Sequence, residues 1–261
     1  MRKKLHLSSF FPETTCDFGK SCIFAAHLSP VGGKYYGPPP PTKVAYFFID
    51  MEKQRVIVYI DGFNFYYGLR SEARWKKYYW LDIVKFFDLF MKDNQELVAV
   101  KYFSARPYDL EKKRNQNAFF QANKENPRFQ LVLGKYLRKE MTCRNCGYKI
   151  RTYEEKESDV RIATQVVADA YKKKCDVAII VSADSDMIPA VELALEAKQR
   201  VFVYFPPNHY STDLNSICNS TVFLNRYENR FKQCLFPDVV HLELANFDLH
   251  IPEKWKQFQD K

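Results

Sequence analysis

The chain has 261 residues, 46% of them hydrophobic, which is enough for the core of one medium domain with extensions and too few for two full domains. A formal net charge of +9 favours a polyanionic partner such as nucleic acid. Seven irregularly spaced cysteines and no apolar run near the roughly 20 residues of a spanning helix argue against a disulfide scaffold and a helical membrane span, so a reducing cytoplasm is the expected setting.

Residues 1–50 show neither helical nor strand periodicity, with Phe10-Phe11-Pro12, Gly32-Gly33 and the run Gly37 to Pro41. They read as an unstructured leader, and Met51, just ahead of a strong strand, reads as a possible start. Arg55 to Ile60 is the first expected strand, with Asp61 at its tip and Gly62 permitting the turn. A helix from Phe65 to Arg70, capped near Asn64, and an amphipathic helix from Leu81 to Met91 follow. Leu97 to Ser104 is strand two, Leu110 to Lys124 a charged helix and Phe129 to Leu133 strand three.

The stretch 135–151 carries Cys143-Arg144-Asn145-Cys146-Gly147 among lysines and arginines, and reads as a basic hairpin insertion. Ser158 to Lys173 is the clearest helix, with Ser158 as N-cap and Ile162, Ala163, Val166 and Ala170 at helical spacing. Asp159 lies on that apolar stripe and should point inward, where it needs a partner such as a metal ion.

Val177 to Val181 is a strand buried on both faces that ends in Ser182, Asp184 and Asp186. Pro189 is tolerable only in a first turn, so the helix through Ala197 starts at Ser185 or Asp186. Arg200 to Phe205 is strand five, Thr212 to Cys218 a short helix and Val222 to Leu224 a last strand. Residues 51–236 thus make the domain, and 237–261 are a tail without assigned elements.

These βα steps predict a mainly parallel sheet with helices on both faces, in the α/β class. Ligands in such sheets bind outside the carboxyl ends of the strands, where strand order reverses. If strands one and four are neighbours there, Asp61, Asp159, Asp184 and Asp186 converge. Crowded carboxylates repel unless a hard divalent cation sits among them, so Mg²⁺ or Mn²⁺ is the natural occupant.

The segments V-Y-I-D-G-F-N, E-E-K-E-S-D-V-R-I-A and I-I-V-S-A-D-S-D, in that order, resemble the NYN domain family of the PIN-like nuclease superfamily over roughly 55–225. The resemblance implies a Rossmann-like sheet and a Mg²⁺- or Mn²⁺-dependent ribonuclease. Its acidic ligands would be Asp61, Asp159, Asp184 and Asp186, supported by Asn64 and Ser182. Ala183 stands where the family usually has glycine, and Met187 where it commonly has an aromatic residue.

Plainer roles exist for each residue alone. Asp184 or Asp186 can be a helix cap, and Asp61-Gly62 an ordinary turn. Phe63 can stack an unpaired base or fill the core, and Arg106 can grip phosphate or simply be solvated. Lys156, just before the Asp159 helix, is placed to contact a scissile phosphate. Cys143 and Cys146 have the form of half a structural zinc site, which two protomers would complete by pooling hairpins in a homodimer, or the hairpin binds nothing. No P-loop or G-x-G-x-x-G turn is present, and Phe63 stands where a D-x-D phosphatase needs its second acid. The expected partner is RNA, single-stranded or structured; a non-catalytic RNA-binding module with the acids holding a structural cation is the alternative.

Overall fold

The computed structural model describes residues 52–142 and 145–259, and side chains within them except at 136–139, 141–142 and 150–156. The expected leader and the Met51 start lie outside the described residues. In chain order the elements are β1 (Gln54–Asp61), α1 (Gly62–Arg70), α2 (Ile83–Asp88), β2 (Gln95–Ser104), α3 (Leu110–Lys124) and β3 (Phe129–Leu133). Then come β4 (Lys135–Thr142), β5 (Lys149–Lys156), α4 (Ser158–Tyr171), β6 (Val177–Val181), α5 (Ile188–Glu196) and β7 (Arg200–Phe205). The chain closes with α6 (Thr212–Ile217), β8 (Ser220–Phe223), α7 (Glu228–Gln233), β9 (Val239–Leu242), β10 (Phe247–His250) and α8 (Glu253–Gln259).

Six strands form one parallel sheet in the order β3-β2-β1-β6-β7-β8. The first strand is therefore central, and strand order reverses between β1 and β6. Alternation along β1 sorts its side chains onto two cores. Val56, Val58 and Ile60 face one with Phe65, Phe86, Phe87 and Phe231, while Ile57 and Tyr59 face the other with Ile162, Val166, Val191 and Leu214. Burial on both faces explains why β1 and β6 read as nearly continuous apolar runs.

Several elements differ from the sequence reading. The second helix is shorter than Leu81 to Met91, and the one after β6 begins as a 3₁₀ turn over Ser185–Met187. Ser158 does not cap α4: the cap position is Glu157, with φ 79° and no capping side-chain bond, and Ser158 is buried inside the first turn. The hairpin leads into α4 with this single left-handed residue between them. The hairpin extends past residue 151, pairing Lys135 with Lys156 in a separate antiparallel sheet. Within 237–261, expected as a tail, the chain forms the β9–β10 hairpin over 239–250 and α8 over 253–259, and buries Leu242, Leu249 and Ile251 in the first core.

One polar cluster sits within the second layer. Asp169 of α4 accepts from Lys101 Nζ at 2.5 Å, Tyr59 Oη at 2.9 Å and Gln165 Nε2 at 3.0 Å. The Lys101 and Asp169 side chains are only 12% and 5% exposed.

Candidate active site

Asp61 is the last residue of β1 and the N-cap of α1, and it is buried. Its Oδ1 accepts the backbone N–H groups of Phe63 and Asn64, each at 3.0 Å, satisfying donors that a helix start leaves open. This places the cap three residues earlier than the expected one at Asn64. Gly62 is required here, because a Cβ would come within 2.5 Å of both the Phe103 carbonyl oxygen and the Tyr102 ring.

Register brings the second strand tip alongside. Ile60 pairs with Val181, so the next residues, Asp61 and Ser182, leave the sheet side by side. Ser182 Oγ donates to Asp61 Oδ2 at 3.1 Å and accepts the Asp184 N–H at 3.1 Å. Asp184 Oδ1 in turn accepts the Asp186 N–H at 3.0 Å, capping the 3₁₀ turn.

Asn64, freed from capping, spans the crevice. Its Oδ1 accepts the Ala183 N–H at 3.1 Å and lies 2.9 Å from His209 Nδ1. A backbone N–H only donates, so this atom is the amide oxygen and His209 Nδ1 carries the proton. The Nε2 lone pair of the neutral ring is then available. Burial lowers the His209 pKa below its usual value, which keeps the ring neutral at pH 7. The loop holding it is docked on α1: Asn208 Nδ2 donates to Ser71 Oγ at 2.7 Å, and a Cβ at Gly68 would meet Pro206 and the Pro207 carbonyl at 2.8 Å. His209 was missed in the sequence, although it follows the end of a parallel strand just as the acids do.

Burial pushes the Asp61 carboxyl up to about 6; the Asp159 charge adds to this, against the hydrogen bonds from Asn64, Ser182 and Phe63 that lower it. Asp159, in the first turn of α4, is half-buried, and its field reaches Asp61. Asp184 is half-buried and Asp186 is exposed. Of the four expected acids, Asp61 and Asp159 lie within each other's field, and among the described residues no three His, Cys, Asp or Glu side chains are already grouped to hold a metal ion. Asp61 and Asp184 each commit an oxygen to capping, which for Asp184 is the plainer role the sequence allowed.

The donors present still suit a hard cation. Mg²⁺ is commonly held by one or two carboxylates, with water and substrate phosphate completing its shell. A buried carboxyl with a second acid in its field is a place where such charge is favourable. Because folding raises the Asp61 pKa from 3.8 to about 6, its stabilising contribution is full below 3.8 and lost as pH rises through about 6. Metal-free protein is expected to lose thermal stability over that window relative to Asp61→Asn, and Mg²⁺ at pH 7 to restore part of it. Equal pH slopes in the two melting series would contradict this.

Of the other expected residues, Phe63 is half-buried and Arg106 exposed. The side chain of Lys156 and all of Cys143 lie outside the described residues, and Cys146 is an exposed free thiol. No described helix is long and apolar enough to cross a membrane.

A model of the NYN domain matches residues 55–225. A curated protein, 6-hydroxy-3-succinoylpyridine 3-monooxygenase HspA of Pseudomonas putida (strain DSM 28022 / S16), is 28% identical over 183 residues, covering 56% of this chain. The chain spans 57% of the length of that relative. A crystal structure of a protein of unknown function from Vibrio parahaemolyticus RIMD 2210633 is similar at 21% identity and a TM-score of 0.44, covering 66% of this chain and 93% of that one.

Proposed function

The chain belongs to the NYN domain family, a family of PIN-like nucleases, and from that premise we propose that it is a metal-dependent endoribonuclease hydrolysing RNA phosphodiester bonds at the β1–β6 strand tips. The observation that carries the proposal is Asp61: a buried carboxyl raised to about 6, at the point of strand-order reversal, in the field of Asp159.

Asp61 and Asp159 would hold the divalent cation, and Asp184 and Asp186 follow the β6 tip beside them in the register. Bound there, the ion would lower the pKa of a water and offset charge on the phosphate. Ser182 and the α1 amides fix the Asp61 carboxylate, so it need not reorganise as charge develops. Asn64 holds the His209 ring with Nδ1 protonated, leaving Nε2 to take the proton of the attacking water as the new P–O bond forms and a bridging P–O bond breaks. Lys156 and Arg106 are the proposed phosphate contacts, and a zinc-holding hairpin dimer through Cys143 and Cys146 belongs with this reading as a structural accessory.

A second reading is an RNA-binding module without turnover: among the described residues no three His, Cys, Asp or Glu side chains are grouped around one metal position, and Asp61 and Asp184 each spend an oxygen on capping. The two separate in one experiment: cleavage of labelled single-stranded and structured RNAs with Mg²⁺ or Mn²⁺, with a chelator control, for the parent and His209→Gln. Turnover that vanishes with chelator, and falls about a hundredfold in the variant with loss of the acid limb of the pH–rate profile, is expected. RNA binding without cleavage would transfer the case to the binding module, and chelator-resistant cleavage would sink the metal reading.

A further inference from the structure

A cavity of about 340 Å³ opens at the same sheet edge, one strand over from the acids, between α1, α3 and α8. Its connection to the acid site is covalent and electrostatic. Phe63, whose N–H holds Asp61 Oδ1, lines it, as does Ser104, which follows the β2 residue paired with Asp61. The buried Tyr102 hydroxyl in its wall feels both Asp61 and Tyr66, and burial with these neighbours raises its pKa.

The walls are aromatic faces. Tyr66 stacks on Tyr79 with centroids 5.3 Å apart, and Tyr79 meets Trp255 at 5.5 Å. At one side stand two amides. Gln116 Nε2 donates to Ser104 Oγ at 3.2 Å and to the Ala105 carbonyl at 3.1 Å, which fixes the amide orientation. Gln116 Oε1 is then buried with no hydrogen-bond partner, a state native proteins rarely leave unexplained. Asn115 also lines the cavity. Cations ring the mouth: Arg70, Lys76, Lys112, and Lys254, which is paired with Glu111 at 3.2 Å.

Stacking faces, edge-reading amides and a basic rim, beside a phosphodiester site, together describe one class of ligand. We propose that this cavity binds a single unpaired nucleobase of the RNA strand, next to the phosphate presented to Asp61, and so gives the enzyme a base preference. The volume lies at the lower end of the roughly 300–1,000 Å³ of small-ligand pockets, suited to one base with its sugar. The aromatic faces hold the ring as single-stranded nucleic acid is held elsewhere, and the amides meet its hydrogen-bonding edge. The inference rests on the ribonuclease reading, and the test keeps the two apart.

Binding is measured without metal, titrating the whole protein with AMP, GMP, CMP and UMP, and with ribose 5-phosphate as the base-free control. Tryptophan emission is the readout: Trp75 and Trp80 are fully buried, Trp255 lines the cavity, and Trp255→Phe assigns the signal. At least one nucleotide is expected to bind about tenfold or more tightly than ribose 5-phosphate. Tyr66→Leu is expected to remove that margin, and Gln116→Leu to change which base is favoured. Separately, the parent enzyme is given RNAs differing only in the base beside the cleaved bond. Cleavage with no base preference, together with nucleotides binding no better than ribose 5-phosphate, overturns the cavity and leaves the nuclease standing. Tyr66-dependent nucleotide binding with no cleavage supports the cavity and removes the nuclease reading.

Discussion

Asp61→Asn is expected to cut RNA cleavage by about a hundredfold to a thousandfold, the scale of removing one fixed electrostatic group from an active site. The substitution separates chemistry from structure. Asparagine caps helices as well as aspartate does, so the bonds from Phe63 and Asn64 to Oδ1 persist and α1 keeps its start. The charge is lost, and with it the carboxylate that burial and Asp159 hold at about 6. Stability should be unchanged or higher in metal-free protein at neutral pH, while turnover with Mg²⁺ collapses. Gel assays of RNA cleavage beside thermal melts of the same preparation decide the matter; a stable variant that cleaves as the parent does would remove Asp61 from the mechanism. Asp61→Ala is the less informative choice, because losing the cap costs about 1 kcal/mol on its own.

The largest stability effect should come from outside the site. Asp169→Ala leaves Lys101, 12% exposed, without its carboxylate, and leaves the buried Tyr59 hydroxyl only the Cys175 sulfur at 3.9 Å as a partner. Breaking a buried pair from one side costs about 3–5 kcal/mol, and at about 2–4 °C per kcal/mol for a domain of this size the melting temperature should fall by roughly 6–20 °C. The pair itself need not be strongly stabilising. Replacing both partners, as Lys101→Met with Asp169→Leu, should recover most of the loss, because no uncompensated charge remains. Urea unfolding of the parent and the two variants measures this, and Asp169→Ala within about 1 kcal/mol of the parent would show that water reaches Lys101.

The parts legible in the sequence were those that report burial directly. A parallel strand covered on both faces has to be apolar throughout, so Val177–Val181 and the β1 run stood out, and their polar ends marked the crevice. What the acids do there depends on atoms that spacing cannot reveal. Asp61 caps α1 while facing the crevice, Asp184 caps a single turn, and Asp186 points to solvent. The His209–Asn64 contact joins residues 145 positions apart through a loop seated on Gly68, and no local pattern encodes such a pairing. Residues 237–261 were illegible for another reason. Two four-residue strands and a seven-residue helix carry too little periodicity to read, and packing on Trp80 and Tyr79 supplies what propensity does not.

Placing the first strand at the centre of the sheet has a consequence for how the protein is made. Asp61 emerges from the ribosome early, but Ser182 lies 121 residues later in the chain. At about 5–20 residues per second, roughly 6–24 s of synthesis separate them. Until β6 follows, β1 has at most β2 on one side and an open edge on the other, and the acid at its tip lacks the hydroxyl and strand that define the crevice. On the ribonuclease reading, a nascent chain on the ribosome, surrounded by RNA, would carry only half of the proposed site until most of the domain has been translated.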